Sequence, residues 1–361
     1  KGIGYGIQGV SVDGNNILEV YNTLNELLSD IRKNPRPIIF EARTFRMRGH
    51  EEASGTKYVP QQLFDEWGKK DPIANYENYL LESKIISTAQ VESIRTKIKT
   101  EIEEHLKISY AESDPEVNTV IELRDMYAPS YDTNITASVA VTEKRFLDAI
   151  TDGLRQGMQR HKNLVIMGQD IAEYGGVFKA TQGFVEEFGK SRVRNTPITE
   201  SSILGASLGL SINGYKSIVE MQFADFVTCG FNQIVNNLAK THYRWGQNAD
   251  VVVRMPTGAA VGAGPFHSQS TEAWFFHVPG LKILYPAFPS DAKGLLAAAI
   301  EDPNPVMFFE HKALYRSVSG LVADDYFTIP IGKASKIREG TDLTIVTYGL
   351  GVHWAMEALD E

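Results

Sequence analysis

Leu164-Val165-Ile166-Met167, Ser217-Ile218-Val219, Val251-Val252-Val253, Lys282-Ile283-Leu284 and Val306-Met307-Phe308-Phe309 are short, mostly apolar runs separated by segments of helical character. Such segments run over residues 142–159, after Ser201 with many small residues, from Phe223 as a long helix, and through Leu295-Leu296. Near-continuous apolar runs belong to strands covered on both faces. Their regular alternation with helices predicts an α/β fold, parallel sheets sandwiched by helices.

Upstream, Ile7, Val10 and Val12 alternate, Asp13-Gly14-Asn15 turns, and Ile17, Leu18, Tyr21, Leu24, Leu27, Leu28 and Ile31 follow at helical spacing. Pro35 and Pro37 end that helix, and Ile38-Ile39-Phe40-Glu41-Ala42 is a strand expected to be covered on both faces, completing a βαβ-like unit. The polar stretch from Arg46 to Tyr58 is too long for a minimal connector and is expected to be functional. Residues from Pro60 to Asp125 are expected to be mostly helical, with the Lys- and Glu-rich segment from Thr88 to Glu112 presenting a solvated face. The aperiodic segment Ala128-Pro129-Ser130-Tyr131-Asp132-Thr133-Asn134 is the linker candidate. Downstream, Leu343-Thr344-Ile345-Val346 is expected to be a strand leading through Gly349-Leu350-Gly351 into a helix. The expected division is therefore residues 1–127, a linker at 128–139, a complete α/β domain at 140–325, and the start of a third at 326–361. A start at Lys1 without Met and a stop inside a helical segment predict a fold truncated at both ends.

The 361 residues fit two to three domains at about 150 residues each. With 45 acidic against 36 basic residues, the net charge of −9 has the wrong sign for coating a phosphate backbone or an anionic membrane, so no nucleic acid and no membrane partner is expected. No apolar run approaches the roughly 18 residues of a membrane span. The one cysteine, Cys229, cannot close an intrachain disulfide, and no Cys/His cluster has zinc spacing, which favours a reducing, cytoplasmic setting.

Three residues stand out chemically. Glu200 lies in Thr196-Pro197-Ile198-Thr199-Glu200-Ser201-Ser202-Ile203-Leu204-Gly205-Ala206, where a strand ends and a helix begins that is poor enough in bulk for another backbone to approach closely. Burial disfavours the charged form of a carboxylate, so an acid there can hold or share a proton. On the residues alone a helix-start acid near a Ser201 or Ser202 cap is the more ordinary reading. His267 follows the low-bulk loop Thr257-Gly258-Ala259-Ala260-Val261-Gly262-Ala263-Gly264-Pro265-Phe266, where a ligand can approach the backbone and a histidine can carry protons, although a lone loop histidine is more often inert than catalytic. His50, in Arg46-Met47-Arg48-Gly49-His50, can bind an anionic group or stay solvated. Glu301-Asp302-Pro303-Asn304-Pro305 reads as a turn whose carbonyls could coordinate a hard cation.

Thr196 to Gly205, Glu220-Met221-Gln222-Phe223-Ala224-Asp225-Phe226, Phe266-His267-Ser268-Gln269-Ser270, and Met167-Gly168-Gln169-Asp170 followed by Gly175-Gly176-Val177-Phe178 together resemble the β part of thiamine-diphosphate-dependent 2-oxo acid dehydrogenases. Gly4-Tyr5-Gly6-Ile7, Val12-Asp13-Gly14-Asn15 and Phe45-Arg46-Met47-Arg48-Gly49-His50 resemble the closing third of the family's α part. The chain is thus similar to a fused α–β decarboxylating component, most like the branched-chain 2-oxoisovalerate type, with transketolase-like domains.

The resemblance implies that Glu200 hydrogen-bonds the aminopyrimidine ring of thiamine diphosphate and drives it toward its imino form, with Gln222 and Phe226 lining that side. It assigns His267 to the reacting carbonyl and lipoyl group, and His50 to the mouth of the site. The carbonyl turn around Ala299, Asp302 and Asn304 would hold potassium. Magnesium and the diphosphate would be bound mainly upstream of Lys1, and the chain alone would not hold the cofactor. The implied reaction decarboxylates a 2-oxo acid and passes the acyl group to the lipoyl domain of a dihydrolipoyl acyltransferase, in a homodimer of fused chains. Pyruvate or acetoin is the neighbouring substrate reading, and a catalytically silent fragment is the reading from another class. Two departures matter: Gln169 stands where many relatives have Glu, and Glu51 follows His50 where regulated animal relatives have a phosphorylatable serine.

Overall fold

The computed structural model describes residues 1–51, 53–130 and 134–360. It divides into two compact units, Lys1–Glu116 and Val117–Glu361. In the first, β1 (Gln8–Asp13) leads into α1 (Ile17–Lys33), whose start Asn16 caps by accepting from the Glu19 N–H, and β2 (Ile38–Arg43) returns parallel to β1 in register Gln8↔Ile38 to Asp13↔Arg43. The βαβ unit is as expected, but the burial of β2 is not. Ile38, Ile39 and Phe40 are half-buried and Glu41 to Arg43 are exposed, in a sheet of only two strands. Only Gly2, Val12 and Val91 are buried among the unit's described residues. Helices α2 (Gln61–Gly68), α3 (Pro72–Glu82) and α4 (Thr88–Ala111) follow. A reciprocal Ser87–Gln90 capping box starts α4.

The second unit opens with α5 (Thr119–Asp125); residues 131–133 of the expected linker lie outside the described residues. Next come β3 (Val141–Arg145), α6 (Phe146–Arg160), β4 (Leu164–Gly168), α7 (Phe184–Phe188), β5 (Val193–Asn195), α8 (Glu200–Ile212), β6 (Lys216–Glu220), α9 (Ala239–Trp245) and β7 (Val251–Thr257). After these, α10 (Glu272–Phe276), β8 (Lys282–Leu284), α11 (Pro289–Glu301), β9 (Val306–His311), α12 (Leu314–Ser317), β10 (Ser319–Ala323) and α13 (Leu350–Asp360) complete the chain. Six strands form one parallel sheet in the order β5-β4-β6-β7-β9-β8.

Alternate residues of β4 face opposite layers: Leu164 and Ile166 join Phe146, Leu154, Met158, Leu296 and Ile300, while Val165 and Met167 join Leu204, Val219, Val253 and Phe309. Every residue of β4, β7 and β9 is buried, which is why these strands read as unbroken apolar runs.

Three local expectations change. Residues 141–145 pair antiparallel with β10, from Ser319↔Arg145 to Ala323↔Val141, and the helix begins only at Phe146, where the buried spacing Phe146, Ile150, Leu154, Met158 starts. The long helix from Phe223 is instead a 3-10 segment, Ala224–Gly230, then a π-helical turn, Gln233–Leu238, then α9. That segment lies against α8 so closely that a Cβ on Gly230 would sit 2.2 Å from Leu204 Cδ1 and 3.4 Å from the Glu200 carbonyl oxygen. Leu343 to Val346 forms no ladder and is exposed, Val346 at 89%. No helix of the described residues is long and apolar enough to cross a membrane.

Candidate active site

The carboxyl ends of β4, β6, β7 and β9, neighbours in the sheet, deliver Gln169, the Met221–Phe226 segment, the loop ending at His267, and Lys312. Open parallel sheets bind ligands in the crevice outside these strand ends. Glu200, after β5, is the first residue of α8, where the helix dipole favours negative charge. Thr199 holds the cap position without a side-chain bond, so neither serine that follows caps this helix. Glu200 and Gln169 are each 8% exposed, and Gln169 Nε2 donates to Glu200 Oε1 at 3.0 Å. Gln222 Nε2 donates to the Gln169 carbonyl at 3.3 Å.

The His267 ring meets the Phe223 and Phe226 rings edge-on, at centroid separations of 4.7 and 5.3 Å. Its loop is fixed at both ends. Gly258 N–H and Thr257 Oγ1 donate to the Gln269 carbonyl, at 3.0 and 3.1 Å. Buried Asp225 accepts the Ser268 and Gln269 N–H groups on Oδ1, both at 3.2 Å, while its Oδ2 has no hydrogen-bond partner. Gly258 has φ 78°, and a Cβ there would lie 2.2 Å from His311 Nε2, so this turn needs glycine on both counts.

Lys312 is 4% exposed, and its Nζ lies 5.3 Å from the Phe223 ring centroid without a hydrogen-bond partner. Burial pushes its pKa down to about 8, with the Asp225 carboxylate pulling the other way. Burial and the Lys312 charge lower that of His311.

Behind these strand ends, Arg254 pairs with Glu220 and Glu310, its Nη2 reaching Glu310 Oε2 at 2.7 Å, and the Tyr315 hydroxyl donates to the same oxygen at 2.6 Å. None of the four is more than 5% exposed. Burial works against the charged Arg254, yet Glu310 and Glu220 hold its pKa above the usual range; burial raises that of Glu220.

Glu200, Gln222, Phe226 and His267 thus come together in the second unit. His50 belongs to the first, in an exposed loop where its Nδ1 lies 2.8 Å from Ser54 Oγ. In the Ala299 turn, Asp302 accepts from Lys282 Nζ at 2.5 Å and from the Asn304 N–H at 2.9 Å, while Asn304 exchanges bonds with the backbone of Ala128 at 2.7 and 3.0 Å. Lys282 already supplies positive charge there. No cluster of three or more His, Cys, Asp or Glu side chains suited to a metal occurs among the described residues.

Sequence reasoning assigned no role to Asp225, Lys312 or the Arg254 cluster. The available signal was charge inside buried strands: Arg254 between Val253 and Met255, and Glu310-His311-Lys312 directly after Phe309. Such charges are retained only with partners or a use.

A buried carboxylate held by an amide, with a second amide next to it, suits the ring nitrogen and amino group of an aminopyrimidine. Residues 143–318 match the transketolase pyrimidine-binding domain, and residues 1–118 match the dehydrogenase E1 component. The chain is 47% identical over 217 residues to the 2-oxoisovalerate dehydrogenase subunit beta of Bacillus subtilis (strain 168), covering 60% of this chain and 66% of that one. It is 42% identical over 223 residues to the pyruvate dehydrogenase E1 component subunit beta of the same organism, covering 61% and 69%. Against that organism's acetoin:2,6-dichlorophenolindophenol oxidoreductase subunit beta it is 42% identical over 225 residues, covering 58% and 66%. The chain spans about two thirds of the length of these relatives.

Fold and matches together define a transketolase-like α/β chain in which an E1-type part precedes a pyrimidine-binding domain. It belongs to the thiamine-diphosphate-dependent 2-oxo acid dehydrogenase E1 family.

Proposed function

We propose that this chain forms part of the decarboxylating component of a 2-oxo acid dehydrogenase, acting on a branched-chain substrate of the 3-methyl-2-oxobutanoate type. The observation that carries the reading is the buried Glu200–Gln169 pair beside Gln222, with His267 at the same sheet edge. Thiamine diphosphate, when bound, supplies the nucleophilic carbon that attacks the 2-oxo group. Glu200 would bind the aminopyrimidine and hold its proton, Gln222 and Phe226 would line that ring, and His267 would move protons at the substrate carbonyl and at an incoming lipoyl group.

The acceptor is then the lipoyl domain of a dihydrolipoyl acyltransferase, and His50 would act at the mouth of the site in the assembled enzyme. Residues 1–127 would serve the diphosphate side, where magnesium acts, residues 128–139 would be the linker, residues 140–325 would serve the pyrimidine side, and residues 326–361 would begin a third domain. A homodimer of fused chains in the cytoplasm, with potassium at the Ala299 turn, completes the proposal. The 42% identity to both a pyruvate- and an acetoin-type subunit keeps pyruvate and acetoin as the second reading.

Steady-state turnover of the complete protein with 3-methyl-2-oxobutanoate, pyruvate and acetoin, with thiamine diphosphate and magnesium, tests the reading. A higher kcat/KM for the branched-chain acid supports it. Preference for another substrate moves the assignment to that class, and no turnover with any of them rejects it.

A further inference from the structure

Two lysines are fully buried among the described residues, and they are held in opposite ways. Lys293 Nζ donates to Asp152 at 2.8 Å and to the Ala323 carbonyl at 2.7 Å. Lys312 Nζ has no hydrogen-bond partner although the residue is only 4% exposed. Removing an ammonium group from water without a partner is costly, so a fold keeps one where something else completes it.

The position of Lys312 says what that is. It follows β9 at the carboxyl edge of the sheet and lies against Phe223, whose other contacts include the His267 ring at 4.7 Å. The nearby acid, Asp225, is committed through Oδ1 to the N–H groups of the loop beyond His267 and makes no hydrogen bond to Lys312. An unsatisfied cation therefore shares one aromatic neighbour, Phe223, with the histidine assigned to the reacting carbonyl. A 2-oxo acid carries its carboxylate one bond from that carbonyl.

We propose that Lys312 is the carboxylate-binding residue of this site, its ammonium group receiving the carboxylate of the 2-oxo acid beside His267. The inference rests on the function proposed above. Lys312 holds the charge that the substrate has before carbon dioxide leaves, so its contribution is to binding and orientation: KM rises when it is removed, and kcat changes little.

The test uses the complete protein, wild type and Lys312→Met, with Lys312→Arg as the charge-retaining control. With the cofactor withheld no turnover occurs, and titration calorimetry reads binding of 3-methyl-2-oxobutanoate against its uncharged amide. Wild type is expected to prefer the acid, Lys312→Met to lose about 10- to 100-fold in affinity for the acid alone, and Lys312→Arg to recover part of it. With the cofactor present, KM should rise by a similar factor while kcat stays within a few-fold. Equal binding of the acid by wild type and Lys312→Met overturns the proposal. So does a Lys312→Met protein that loses affinity for thiamine diphosphate instead, because the cation would then serve the cofactor's diphosphate. Absence of turnover by wild type with every 2-oxo acid rejects the function reading, whereas a lysine-dependent preference for the acid still reports on Lys312.

Discussion

Gln169 and Glu200 meet in a buried contact, the Gln169 amide donating to Glu200 Oε1 at 3.0 Å from the end of β4 to the start of α8. The neutral donor leaves a single carboxyl group at this point, and it orients that group without competing for protons. Gln169→Glu would set two carboxylates within hydrogen-bond distance in a site that is 8% exposed on either side, and such a pair shares one proton. The expected outcome is a kcat–pH profile with an added ionisation, together with a loss of about 1–3 kcal/mol in urea unfolding at pH 7. Glu200→Gln should instead unfold like wild type and lose activity by about a hundredfold or more. Unchanged profiles in both variants would remove Glu200 from the mechanism.

The Arg254 cluster holds one cation against two carboxyl groups with no residue above 5% exposure. An amide at position 220 keeps an oxygen that can accept from Arg254 Nη1, and Glu310 still faces the cation. Glu220→Gln should therefore cost about 1 kcal/mol or less. Arg254→Met leaves both acids without their cation and should cost about 3–5 kcal/mol. Urea midpoints of the two variants at pH 7 decide it, and equal losses would mean that the Glu220 charge counts for as much as the Arg254 cation.

How far the sequence reaches is visible in these same residues. Unbroken apolar runs such as Val306 to Phe309 disclosed the central strands, because a sheet covered on both faces leaves no polar position to confuse the pattern. The burial of Glu200 at a helix start was legible because it stands between a strand end and a low-bulk helix. The segment from Phe223 was misread as one helix, since its apolar spacing is helical while its path is set by the contact between Gly230 and α8, which lies far away in sequence. Lys312 and Arg254 were missed for a related reason: Arg254 is one charge inside an apolar strand and Lys312 directly follows another, and their meaning depends on residues that only the fold brings near. Leu343 to Val346 carries strand composition but finds no ladder partner within the described residues.

Glu301 offers a pH-dependent measurement away from the site. His161 Nε2 and Arg160 Nε lie 2.9 and 3.0 Å from its Oε1, and the Tyr326 hydroxyl donates to the same oxygen at 3.0 Å. Burial alone would raise its pKa, but the His161 bond, with Tyr326 and Arg160, holds it at about 2 against an ordinary 4.5. A depressed carboxylate stabilises the fold above its unfolded value and loses that contribution as pH falls through the folded one. The expected loss is up to about 3 kcal/mol between pH 4.5 and about 2. Glu301→Gln should be less stable than wild type at pH 7 and should flatten the fall over that window. Parallel pH dependences for the two proteins would count against the pairing.

Lys312 is likewise depressed in pKa, so its stability slope has the same sign in a higher pH range, but at pH 7 its contribution is a penalty rather than a gain. Its pKa is pushed down from 10.5 to about 8 by burial, so the folded chain binds this proton less tightly than the unfolded one. Below about pH 8 both states carry the proton and the full penalty, about 3 kcal/mol, is present; as pH rises from about 8 to 10.5 it is relieved, and stability increases. Lys312→Met removes the ionisable group while filling similar volume, and should raise stability at pH 7 while abolishing this rise. Urea unfolding of both proteins at pH 7 and pH 9.5 checks the claim. A Lys312→Met protein that is less stable than wild type at pH 7 would show that the ammonium group is satisfied within the fold, and the argument that it waits for a carboxylate would lose its physical basis.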